Sequence, residues 1–75
     1  MEEKILKILE DINEDIIEYD GNDMFREGVI TSVEVLDIVS EIEDEFDIEI
    51  GAKYVVADNF ANKEAIIALV KKLAE

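Results

Sequence analysis

Apolar residues return at spacings of three and four in three separate stretches of this chain, a period that suits helices and disfavours strands. Ile5, Leu9, Ile12 and Ile16 step by four, three and four, with Ile8 beside them and Leu6 and Ile17 widening the stripe. Val35, Val39, Ile42 and Phe46 repeat the same steps, flanked by Leu36 and Ile38. Ile66, Leu69, Val70 and Leu73 form the third set. No proline interrupts them, and the 75 residues include only three glycines. The expectation is one all-α domain spanning residues 1–75, a monomeric bundle with helices near 2–18, 31–46, 54–59 and 62–74. Its core should hold Ile5, Leu9, Ile12, Val35, Val39, Ile42, Phe46, Ile66, Val70 and Leu73.

Local signals punctuate these helices. Glu2 and Glu3 suit the positive end of the first helix dipole, and Lys71 and Lys72 suit the negative end of the last. Gly21-Asn22 and Gly28 mark changes of direction in a loop from Asp20 to Ile30, where Met24, Phe25, Val29 and Ile30 are expected to pin the chain to the bundle. Asp20, Asn22 and Asp23 lack the ligand alternation of a calcium loop and read as solvated. Thr31-Ser32-Val33-Glu34 fits a capping box, in which a hydroxyl and a glutamate three residues on satisfy each other's backbone amides. The β-branched run around Thr31 competes as a strand, but its alternation breaks at Val35-Leu36 while the helical spacing continues to Phe46. Asp47-Ile48-Glu49-Ile50 alternates without a pairing partner, so it reads as an extended connector with Ile50 turned inward. Asn62 is the expected cap of the last helix.

Charge narrows the function. Twenty-one acids against seven bases give a net charge of −14, and eight of those acids lie within residues 34–50, where there is no base. Glu34, Asp37, Glu41 and Asp44 step by three, four and three, forming a carboxylate stripe opposite the apolar one. Such a field repels nucleic-acid phosphate and anionic lipid and attracts basic protein surfaces. The chain has no cysteine and no histidine, so the commonest nucleophiles, general bases and metal ligands are missing. Paired carboxylates such as Asp37 and Glu41 read as solvated surface groups rather than as the acid and base of a hydrolase. The expectation is a protein that is not an enzyme in its own right. No secretory leader or membrane-spanning run is evident, making a cytoplasmic location the default and membrane insertion unexpected.

Ser32 stands where these features meet, although a serine in that place is by itself an ordinary helix-start residue. With Thr31 as cap, it opens a helix whose free amides and dipole favour an attached phosphate. An apolar-anchored loop, Met24 to Ile30, precedes it, and an acidic helix running to the Glu41–Ile50 segment follows. This arrangement resembles the acyl carrier protein family, in which a loop ending in an Asp-Ser-Leu-like tripeptide leads into a helix rich in Leu, Val and Glu. The likeness covers nearly the whole chain and is most specific from Gly28 to Ile50. It implies a four-helix bundle with a long loop between the first two helices and a short third helix. It also implies a covalent 4′-phosphopantetheine on Ser32, carrying acyl or aminoacyl intermediates as thioesters whose sulfur the polypeptide itself lacks. Implied partners are a phosphopantetheinyl transferase with coenzyme A, and loading and processing enzymes with basic patches. Thr31, Val33, Glu34, Asp37, Glu41 and Asp44 would meet them.

Two positions depart from the family pattern. Thr31 stands where aspartate is usual, keeping the cap but removing a charge that some transferases recognise. Ser40 stands where many fatty-acid carriers have a larger apolar residue. The Gly-Gly-x-Ser pattern of modular peptide synthetases is absent as well. These features lean toward a specialised stand-alone carrier in fatty acid, polyketide or related biosynthesis. The alternative is an unmodified acidic helical module for protein interaction.

Overall fold

The computed structural model describes residues 1–74. It is a small bundle of four helices: α1 (Glu2–Ile12), α2 (Asp15–Glu18), α3 (Ser32–Phe46) and α4 (Lys63–Ala74), with two 3-10 turns, Ala52–Tyr54 and Ala57–Phe60, before α4. Among the described residues there is no strand, and residues 47–50 run as an extended connector with Ile50 buried, as its alternation predicts.

The first helix is the main departure from the expected boundaries. The periodicity predicts one helix over 2–18, yet the chain breaks at Asn13, whose backbone is extended at φ −161° and ψ 103°. The Asn13 side chain supplies the reason: its Oδ1 accepts from the Asp15 amide at 3.0 Å, a local turn that competes with the helical ladder. The apolar spacing survives the break at Ile16, which is fully buried. Ile12, predicted to be core, is left only partly covered.

The helix expected over 54–59 is replaced by the two 3-10 turns. Val55 and Val56 separate them, Val56 being extended at φ −130° and ψ 156°, consistent with the poor helix propensity of adjacent β-branched residues. Asn59 Nδ2 donates to the Tyr54 carbonyl at 2.9 Å and ties the two turns together. Asn62 caps α4 as expected, its Oδ1 accepting from the Ala65 amide at 2.8 Å, while its Nδ2 donates to the Gly21 carbonyl at 3.1 Å. The Met24 amide donates to the Ala61 carbonyl at 2.9 Å, so the long loop is stitched to the start of α4. Met24 is fully buried and anchors that loop. Phe25, expected to share the task, is 47% exposed instead.

Helix α3 buries Val35, Ile38 and Ile42. Val39 and Phe46, predicted to be core, are only partly covered, as is Leu73 on α4. The cause on α3 is where α1 lies. Glu34 meets Asn13 and Glu45 meets Lys4, which sets α1 antiparallel to α3 on the side that also carries Ile38. At about 100° per residue, Val39 and Phe46 fall toward the opposite margin of the buried face. Helix α4 also packs antiparallel to α1, with Lys71 Nζ on Glu2 at 2.8 Å and Lys63 Nζ on the Ile17 carbonyl at 2.8 Å. Between these elements Ile5, Leu9, Ile38, Ile66 and Val70 are completely removed from solvent, and no polar residue is buried among those described. At about 25 cal/mol per Å² of apolar surface, that shared core outweighs any single surface contact.

Candidate functional site

Ser32 is the first residue of α3 and is exposed. The turn that presents it is built by its neighbours. Thr31 is extended at φ −107° and ψ 168°, and its Oγ1 accepts from the Glu34 amide at 3.2 Å. In return Glu34 Oε1 accepts from the Thr31 amide at 2.9 Å, completing the predicted capping box. These bonds use the amides of Thr31 and Glu34, while those of Ser32 and Val33 have no partner among the described residues. The Ser32 hydroxyl likewise makes no hydrogen bond there. Upstream, Gly28 adopts φ +77°, a left-handed conformation that glycine takes without the strain a side chain would bring.

Ser32 stands at the rim of a cleft of about 300 Å³. Phe25 of the loop forms one wall, Val35 and Leu36 of α3 a second, and Val55, Val56, Ala57 and Phe60 of the 3-10 turns the third. Ser32 contributes the only polar side chain of the lining. Phe60 is the floor, almost wholly buried, whereas Leu36, Phe25 and Val56 are 63%, 47% and 48% exposed and rim the opening. The walls come from three separate segments, a juxtaposition that apolar periodicity does not report. The available signal was Phe25, a large apolar side chain in a loop that Met24 and Ile30 already anchor in the core.

The predicted carboxylate stripe divides in two. Asp37, Glu41 and Asp44 are exposed along α3, as is Val33 at 65%. Glu34 stands apart: it is half-buried and both its oxygens are engaged, Oε1 by the Thr31 amide and Oε2 by Asn13 Nδ2 at 3.1 Å. Within the bundle its part is to build the turn. Glu43 is also occupied, its Oε2 accepting from the Ile50 amide at 2.7 Å and holding the connector against the bundle. Among residues 34–50, Glu45 is the one carboxylate paired with a described cation, Lys4 at 3.8 Å.

Chemically, the site offers one accessible hydroxyl, two open amides, an apolar recess and a row of unpaired carboxylates. It offers no base. No cluster of metal-ligating side chains exists among the described residues, and none of their helices is long and apolar enough to cross a membrane. No protein-family model matches the chain, and no curated protein does either.

Proposed function

We propose that this chain is a carrier protein that bears acyl or aminoacyl groups as thioesters on a 4′-phosphopantetheine arm attached to Ser32, in the manner of the acyl carrier proteins its sequence resembles. The observation that carries this reading is the position of Ser32: an exposed, unengaged hydroxyl opening a capped helix at the rim of an apolar cleft. The residues fit the arm. A phosphodiester on Ser32 Oγ would lie beside the open amides of Ser32 and Val33 at the positive end of α3, where a phosphate is stabilised. The arm supplies the thiol that a chain without cysteine lacks.

This chain's own contribution is presentation and recruitment. Loading would form a phosphorus–oxygen bond at Ser32 Oγ as the pyrophosphate bond of coenzyme A breaks and adenosine 3′,5′-bisphosphate leaves. The serine proton would go to a base on the transferase. Asp37, Glu41 and Asp44 run away from the attachment point along one helix, where they would meet Arg or Lys on each successive enzyme. Exposed charges of this kind give fast, salt-sensitive and weak docking, which suits a carrier that must leave each partner. Tethering the cargo then raises its effective concentration at the active site without tight binding. A small all-helical bundle with a long segment between Glu18 and Ser32 and two 3-10 turns before α4 supports this reading in outline.

The test is intact mass after incubation with coenzyme A and a broad-specificity transferase. The expected result is one phosphopantetheine per chain, absent in Ser32→Ala. No gain on the wild-type chain would favour the unmodified interaction module, for which Thr31 in place of the customary aspartate is the main support.

A further inference from the structure

Among the described residues, Asn13 is the one side chain outside α3 that grips both edges of the Ser32 turn. Its Nδ2 donates to the Val29 carbonyl at 2.9 Å, upstream of the serine, and to Glu34 Oε2 at 3.1 Å, downstream of it. Its Oδ1 accepts from the Asp15 amide at 3.0 Å. The carboxamide therefore uses both donor protons and its acceptor, a set that neither aspartate nor alanine reproduces. The contacts span sixteen and twenty-one residues of chain, so they are tertiary ties that the α1 break makes possible. Glu34 in turn bonds the Thr31 amide through its other oxygen, closing a path from the end of α1 to the residue before the serine.

We propose that Asn13 is a positioning residue for Ser32. Through Val29 and Glu34 it holds the serine-bearing turn at one angle to the bundle, and so sets how the hydroxyl is presented to the enzyme that modifies it. This role rests on the carrier reading of Ser32. It predicts a loss in the modification step rather than in docking, because Asp37, Glu41 and Asp44 lie elsewhere on α3 and stay as they are. Small displacements of a reacting atom lower rates steeply even when binding is intact.

The experiment is steady-state transfer of phosphopantetheine from coenzyme A to the full chain as substrate, well below the unfolding midpoint, with helicity checked by circular dichroism. Asn13→Ala should lower kcat about tenfold while the KM for the carrier stays within about twofold. Asn13→Asp should be slower still, since it sets a carboxylate against Glu34. Adding Glu34→Gln to Asn13→Asp should recover part of the loss, because the glutamine amide then donates to the aspartate and its carbonyl still accepts from Thr31. A purely structural Asn13 would move the unfolding midpoint and leave kcat of the folded protein at the wild-type value. Wild-type kcat in both single variants overturns the proposal, and a double variant no faster than Asn13→Asp overturns the Asn13–Glu34 bridge as its cause. If one single variant fails to fold, the other still decides. No mass gain on the wild-type chain sinks the attachment reading itself and takes the positioning role with it, an outcome distinct from equal rates.

Discussion

The two flanks of α3 are built on opposite principles. Toward α1, Ile38 and Ile42 are sealed in the core and Glu34 is tied to Asn13. Toward the 3-10 turns, Leu36 is 63% exposed and faces Phe25 and Val56 across an open apolar cleft, with Ser32 at its rim. One flank spends its apolar surface on stability, and the other keeps it available. A small bundle tolerates the second only because α1 and α4 complete the core on the first. The Lys4–Glu45 pair on the closed flank marks where α1 runs but adds little energy, since both partners are largely exposed.

The contrast is most easily broken by removing side chains of similar size from each flank. Ile38→Ala should cost about 2–5 kcal/mol, the range for deleting a buried aliphatic side chain. Leu36→Ala, two residues away, should stay within about 0.5 kcal/mol, as exposed substitutions do. Urea denaturation of both variants measures the difference, and equal losses would mean that the cleft flank is packed after all.

The turn joining the two flanks gives the next effect. Thr31→Ala should cost about 1 kcal/mol through the lost cap, whereas Thr31→Asp should change stability by less than about 1 kcal/mol because aspartate caps equally well. Modification should respond the other way. Thr31→Asp supplies the charge usual beside the serine of acyl carrier proteins and should speed transfer by enzymes that prefer it, with less effect on a promiscuous one. Initial rates of arm transfer, with unfolding midpoints as control, sharpen the division between holding the turn and presenting it.

Salt should act on folding and on docking with opposite signs. The crowded carboxylates of residues 34–50 repel one another, so moderate ionic strength should raise the thermal midpoint while weakening docking to a basic partner. A midpoint indifferent to salt would remove the repulsion argument.

Titration should give the smallest effects. Tyr19 is held above its ordinary value of 10.0, chiefly by burial and then by its hydrogen bond to Glu27. The folded state therefore keeps its phenol proton longer than the unfolded state. The stability linked to it is fully present below about pH 10 and is lost as pH rises through the raised value. Tyrosinate absorbance of wild type against Tyr19→Phe reads this directly. Glu2 is shifted the other way, below 4.5, by its hydrogen bond and charge pairing with Lys71. That contribution is present above the ordinary value and fades as pH falls through the lowered one.

Much of this was legible in the residues, and the exceptions have physical causes. The capping box at Thr31 and Glu34 was readable because both partners lie within one turn of chain. The Asn62 cap and the inward Ile50 follow from equally local patterns. The α1 break was hidden because the apolar stripe runs through it undisturbed to Ile16, and only Asn13's turn to Asp15 interrupts the ladder. Val39 and Phe46 looked equivalent to Val35 and Ile42 until the position of α1 decided which margin of the face is covered. The cleft and the Asn13 ties depend on contacts between distant segments, which periodicity does not report.

The central claim is that Ser32 alone receives the arm. It is tested most directly by the intact mass of the wild-type chain and of Ser32→Ala after incubation with coenzyme A and a broad-specificity transferase, with circular dichroism confirming that both are folded. The account predicts a gain of one phosphopantetheine on the wild-type chain and none on Ser32→Ala. An unmodified wild-type chain, or a modified Ser32→Ala, would contradict it.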